Sequence, residues 1–209
     1  MDFSFRDNSC DKFEKKSSYY KELDETNDDL EVTYLEQIGV IQHTFKCLFQ
    51  TTIEVIDDLT AITETNKYVF MMNPFYSKIT VESAKRDKVL RDIAERVMNF
   101  IFTLEIEEST VIMAFIYIDS LIRQDKQLIN INSLENILLI SLTLAYKFNQ
   151  DILYSDKIIC NLAFFKTIKL INMSNFYLKK INYKLFVKEE KYENYKKYSN
   201  KVNLKQFMI

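Results

Sequence analysis

LENILLISLTLAYKF, residues 134–148, is the stretch that decides the fold. From Ile137 to Ala145 only Ser141 and Thr143 are not apolar. A helix with that composition has no face for water and must lie inside a bundle, covered on every side. A buried parallel strand also reads as an apolar run. Length arbitrates, because about fifteen residues exceeds a usual strand of roughly 4–8. Leu and Ala fit a helix, and neither Gly nor Pro interrupts. Ser133 is the expected N-cap, and Glu135 falls in the first turn, where the helix dipole favours an anion. Lys147 places a charge just where the apolar surface stops.

The rest of the composition agrees with that helix. The 209 residues contain one Gly and one Pro. A fold of hairpins needs Gly for positive-φ turns, and no Gly-rich phosphate loop can be built around Gly39 alone. The expected class is therefore all-α, a bundle around a buried central helix. A hydrophobic content of 47% is that of a folded chain. A net charge of −2 argues against nucleic-acid binding through overall charge. Cys10, Cys47 and Cys160 are odd in number and far apart, which is neither a disulfide framework nor a CxxC site. The N-terminus is polar and lacks a signal core, and no apolar run approaches the roughly 18 residues that span a bilayer. The chain is expected to be soluble and intracellular, in nucleus or cytoplasm, with no cofactor and no bound metal.

Three regions are expected along the chain. Residues 1–33 read as a flexible polar tail with an acidic block at Glu22–Glu31. Residues 34–187 form the helical domain. Its helices are expected at 34–60, 81–102, 108–123, 134–148, 155–163 and 168–181, from apolar residues at helical spacing. Residues 63–80 are irregular around Pro74, and NYKLFV, 182–187, reads as an extended exit. Residues 188–209 are basic and Tyr-rich, and read as an amphipathic helix packed on the domain by its tyrosines. Basic residues with interleaved aromatics also bind nucleic acid, but the glutamates of this tail dilute that signal.

Catalytic chemistry is scarce. The single histidine, His43, has no second His one turn away, so no HExxH metal site exists. Cys47 lies one turn after His43 and can touch it. A dyad of that kind still needs an orienting third group, and none is apparent. No enzymatic activity is expected.

The informative residues are charges set within the apolar helices: Arg96 in IAERV, Asp119 in FIYIDSLI and Lys147 in ISLTLAYKFNQDILYSDK. In this order and context they resemble the cyclin box, most closely that of the P-type cyclins, the single-box group related to yeast phosphate-pathway and plant U-type cyclins. KITVESAK (78–85) and YLKKINYKLFV (177–187) extend the likeness, which covers about 73–187, with 34–60 similar to the segment these cyclins carry before the box. The resemblance implies a five-helix box that binds and activates a cyclin-dependent protein kinase without doing chemistry itself. It implies a buried ion pair between Arg96 and Asp119. It implies that Lys147 binds backbone carbonyls beside the kinase's regulatory helix, with Leu144, Leu178, Tyr183 and Leu185 as apolar neighbours. Three positions depart from the family pattern. Ser174 stands where a kinase-gripping glutamate is usual, Ala163–Phe164 where a Gly-Gly turn is usual, and Ser120 where an arginine follows YID. Two rival readings remain: a cyclin-fold adaptor for nucleic acid or transcription proteins, and a helical scaffold that has lost the kinase.

Overall fold

The computed structural model describes residues 27–63, 73–75, 86–151 and 153–201. Among these the chain forms seven α-helices and no strand. They are α1 (Asn27–Thr63), α2 (Arg86–Thr103), α3 (Glu108–Gln124), α4 (Ile131–Asn149), α5 (Asp156–Leu162), α6 (Thr167–Lys180) and α7 (Glu189–Lys201), with a short 3-10 turn at Lys126–Leu128. The all-α class read from the sequence holds. The chain divides into two compact units, Met1–Gly39 and Val40–Ile209. In the first, the described residues are the opening turns of α1. The expectations for 1–26, for 64–72 and 76–85, and for 202–209 lie outside the described residues.

In the second unit the core is built around α4. All of its residues from Ser133 to Tyr146 are buried except Glu135. α3 lies antiparallel beside it and buries every residue from Thr110 to Ile118. The antiparallel pairing is read from two contacts. Ser141 Oγ donates to the Ala114 carbonyl at 2.5 Å, and Asn149 Nδ2, at the far end of α4, donates to Thr110 Oγ1 at 2.9 Å. α2 contributes Ile93, Val97, Phe100 and Ile101, and α6 contributes Leu170, Met173 and Tyr177. The Tyr177 hydroxyl donates to Ser141 Oγ at 3.2 Å. Burial pushes that phenol far above its ordinary pKa, so it stays a donor.

Two local expectations are corrected. α1 starts at Asn27, so the last residues of the expected polar tail are helical. The N-cap of α4 is Asn130, not Ser133. Asn130 Oδ1 accepts from the amides of Asn132 and Ser133 at 3.0 and 3.2 Å, while Ser133 Oγ accepts from the Asn130 amide at 3.0 Å. The sequence offers two capping residues three apart. Using both as a reciprocal capping box satisfies more orphan amides than capping with Ser133 alone. Asn130→Ala should therefore cost about 1–2 kcal/mol of unfolding free energy. Denaturant titration measures this, and an unchanged midpoint would remove the cap from any stabilising role.

Candidate partner-binding face

Lys147 sits in the last turn of α4, where a cation complements the negative helix end. Its side chain is exposed and forms an ion pair with Asp156, in the first turn of α5. Leu144, one turn earlier, is only 7% exposed, so the apolar rod is sealed right up to this charge. The Tyr146 hydroxyl accepts from the Tyr154 amide at 3.0 Å and holds the connection to α5.

Ser174 and Leu178 lie half-buried on α6, flanking the buried Tyr177. Tyr177 reaches Ser141, and Lys147 lies six residues beyond Ser141, about 9 Å along α4. Leu185 is half-buried in the exit segment, and its carbonyl accepts from Tyr117 at 2.7 Å. Tyr183 points outward, 64% exposed. Lys147 and Leu144 thus stand near the end of α4, Ser174 and Leu178 on α6, and Tyr183 and Leu185 in the segment that follows α6. Sequence reasoning missed several exposed apolar residues of the same region. Of the ten large hydrophobics exposed among the described residues, seven lie between Phe148 and Phe186: Phe148, Leu153, Phe164, Ile168, Ile171, Tyr183 and Phe186. No periodicity marks them, because exposure depends on how α5 and α6 are rotated.

The expected pair of Arg96 with Asp119 is not formed. Arg96 lies on the exposed side of α2 and grips Glu135 of α4 with two hydrogen bonds, at 2.5 and 3.0 Å. Asp119 takes Arg123 one turn on, at 3.0 Å, and Lys191 of α7, at 3.1 Å. The reason is helix rotation. Asp119 stands at the edge of the buried face of α3, toward α7, while Arg96 faces the start of α4. The i,i+4 spacing of Asp119 and Arg123 was a signal for the observed pair.

Asp119 belongs to the seat of α7. A cavity of about 340 Å³ lies there between α1, α3 and α7, walled by Leu48, Val55, Phe115 and Ile122 with Asp119 and Tyr195. Tyr198 shares a hydrogen bond with Thr51 at 3.2 Å, and His43 Nε2 meets the Ser199 carbonyl at 2.9 Å. That carbonyl only accepts, so Nε2 carries the proton and donates. It cannot also act as base for Cys47, whose sulfur lies 3.7 Å away. Burial also pushes the Cys47 thiol up, away from the nucleophilic thiolate. His43 is therefore part of how α7 is held, and Cys47 lies beside it on α1.

Compared with models of known families and with curated protein sequences, the chain matches none. Among the described residues no helix is long and apolar enough to cross a membrane.

Burial alone would raise the Asp119 carboxyl, but hydrogen bonds from Arg123 and Lys191 outweigh it and hold the pKa below the usual carboxylate value. A lowered folded-state pKa contributes stability above the unfolded value, and that contribution is lost as pH falls through the folded one. Asp119→Asn should lower the melting temperature at neutral pH, and the gap to wild type should close as pH drops through the folded-state pKa. Melts across that acid range check this, and a gap independent of pH would refute it.

Proposed function

We propose that this chain is a cyclin-box-like regulatory subunit that docks a cyclin-dependent protein kinase through the end of α4 and the outer flank of α6. The observation that carries the reading is the placement of Lys147. It is an exposed cation in the last turn of a helix buried from Asn136 to Tyr146, and most of the large apolar side chains exposed among the described residues follow it in the sequence. Apolar anchors around one polar contact are the usual anatomy of a tight protein interface. The order of motifs in the sequence supplies the identity of the partner.

The mechanism is a population shift. A kinase needs its regulatory helix docked so that the Glu it carries reaches the ATP-binding Lys. A subunit that binds only the docked conformation raises its population by its differential affinity for it. Lys147 would exchange Asp156 for backbone carbonyls of the kinase. An exposed ion pair of this kind contributes at most about 1 kcal/mol, so the exchange costs little. Ser174, with no charge, gives a weaker second contact than the family's glutamate. Hydrogen bonds to a charged group are worth about 1.5–3 kcal/mol, which is the affinity at stake.

The nucleic-acid reading rested on the basic tail. Lys191 is engaged by Asp119, and Tyr192 and Tyr195 pack against the core, which takes them away from stacking on bases.

Pull-down from a native extract with wild type, Lys147→Glu and Asp156→Asn tests the proposal. Wild type and Asp156→Asn should retain a protein kinase, and Lys147→Glu should lose it with an unchanged melting curve. Recovery of no kinase, or of equal kinase by all three, would overturn the reading.

A further inference from the structure

From Lys157 to Lys188 the chain carries seven lysines and not one Asp, Glu or Arg, although its overall charge is −2. This stretch is α5, α6 and the exit toward α7. Two of its lysines serve the fold: Lys180 pairs with Asp125 and lies over the Phe176 ring, and Lys169 lies over the Phe165 ring. The other five, Lys157, Lys166, Lys179, Lys184 and Lys188, are exposed and have no carboxylate within ion-pair distance among the described residues.

The same stretch holds the four most exposed large hydrophobics of the described residues. These are Phe164 at 86%, Phe186 at 79%, Tyr183 at 64% and Ile168 at 63%. Each lies within two residues of a lysine. Phe164 and Tyr183 also have left-handed backbone, with φ of 54° and 56°. For a bulky L-residue that conformation is unfavourable, and folding gains nothing from an aromatic ring left in water. Both follow the end of a helix, where left-handed residues make the closing turn, so it is the exposure of the two rings that points to a use outside the fold.

We propose that this face docks a protein surface in which carboxylates surround apolar side chains, the lysines steering the encounter and Ile171 and Leu178 anchoring it. The inference rests on the docking role proposed above for the same face and adds the chemistry of the partner. The rotation of α6 favours a protein over a bilayer or a nucleic acid. At about 100° per residue, Leu170, Met173 and Tyr177 define the buried side. The pole opposite carries Asn172, Asn175 and Lys179 beside Ile168. A helix lying on lipid needs an apolar outermost pole, and this one is largely polar. Ile171 and Leu178 sit instead on the flank with Ser174, and Leu178 is half-buried. A flank of aliphatic side chains suits packing against another protein and offers bases nothing to stack on. Lysines at the margin of such a contact act mainly on association rate and salt dependence.

The test uses the full chain and a fluorescently labelled amphipathic peptide of Leu and Glu. Its Leu/Lys counterpart, vesicles of phosphatidylcholine with and without phosphatidylserine, and a DNA duplex serve as comparators. The Leu/Glu peptide should bind, and rising salt should weaken it as charge screening requires. The triple variant Lys166→Glu, Lys179→Glu, Lys184→Glu should lose about tenfold or more in affinity, equivalent to about 1.4 kcal/mol. Ile171→Asp should also lose binding, and both variants should melt as wild type does. Equal binding of both peptides, preference for phosphatidylserine vesicles or for the duplex, or no binding would overturn the proposal. If the peptide binds but no kinase is retained in the pull-down, the acidic docking face stands and the kinase reading falls. If a kinase is retained equally by the triple variant at all salt concentrations, the kinase reading stands and this inference falls.

Discussion

α4 has no face for water, and the rest of the Val40–Ile209 unit answers to that constraint. Apolar burial is non-directional, so it explains why helices gather around α4 but not the register in which they stop. The register comes from two hydroxyls buried inside the rod. Thr143 Oγ1 turns back to the Leu139 carbonyl of its own helix at 2.7 Å. Ser141 reaches outward instead, donating to Ala114 of α3 and accepting from Tyr177 of α6. A buried hydroxyl left without partners costs about 1–3 kcal/mol. Sliding either neighbour by one turn would break this relay, so a single serine fixes three helices against one another.

α7 is held by different physics. It contributes little apolar surface beyond Tyr192 and Tyr195, which pack against the core from partly exposed positions. Its contacts are polar and lie along its length: Lys191 on Asp119, Tyr198 on Thr51, the Ser199 carbonyl on His43. A hydrogen bond from Tyr117 to Leu185 aims the preceding segment. Contacts of this kind contribute about 0.5–1.5 kcal/mol each. A helix seated by a few of them over a cavity is among the first parts of a domain to open locally.

This division explains what the sequence made legible. Leu134–Phe148 could be read as a buried helix because burial on all sides leaves a mark at every position. The end of α3 at Gln124 and the start of α6 at Thr167 each fell within a residue of expectation, because apolar spacing reports a helix that packs on one face. The Arg96–Asp119 pair could not be read this way. Which charges meet depends on the rotation of α2, α3 and α7 about their own axes, and that rotation is set by contacts distant in sequence. The N-cap of α4 fell between the two kinds of signal. Asn130 and Ser133 are both good caps, and only the reciprocal bonding between them decides. At the proposed docking face, Lys147 was visible as the charge that ends an apolar run. The exposure of Phe164, Ile168 and Ile171 was not, since a surface isoleucine and a core isoleucine look alike in a sequence.

In the docking proposed here charge and apolar surface would divide the labour, and magnitudes say how. Lys147 is paired with Asp156 in the free chain, so binding through it would trade one partially solvated partner for another for a small net gain. The apolar side chains have no such alternative partner in the free chain. Removing apolar surface from water returns about 25 cal/mol per Å², so covering Ile171 and the exposed part of Leu178 outweighs what Lys147 can add. In the proposed complex Lys147 would then serve orientation rather than strength. From the last turn of α4 its ammonium, on a four-carbon stem, would supply the one polar contact amid an apolar patch. The lysines of α5, α6 and the segment after them would act earlier still, on the encounter, because their field extends about a Debye length, roughly 8 Å at physiological salt, beyond the surface.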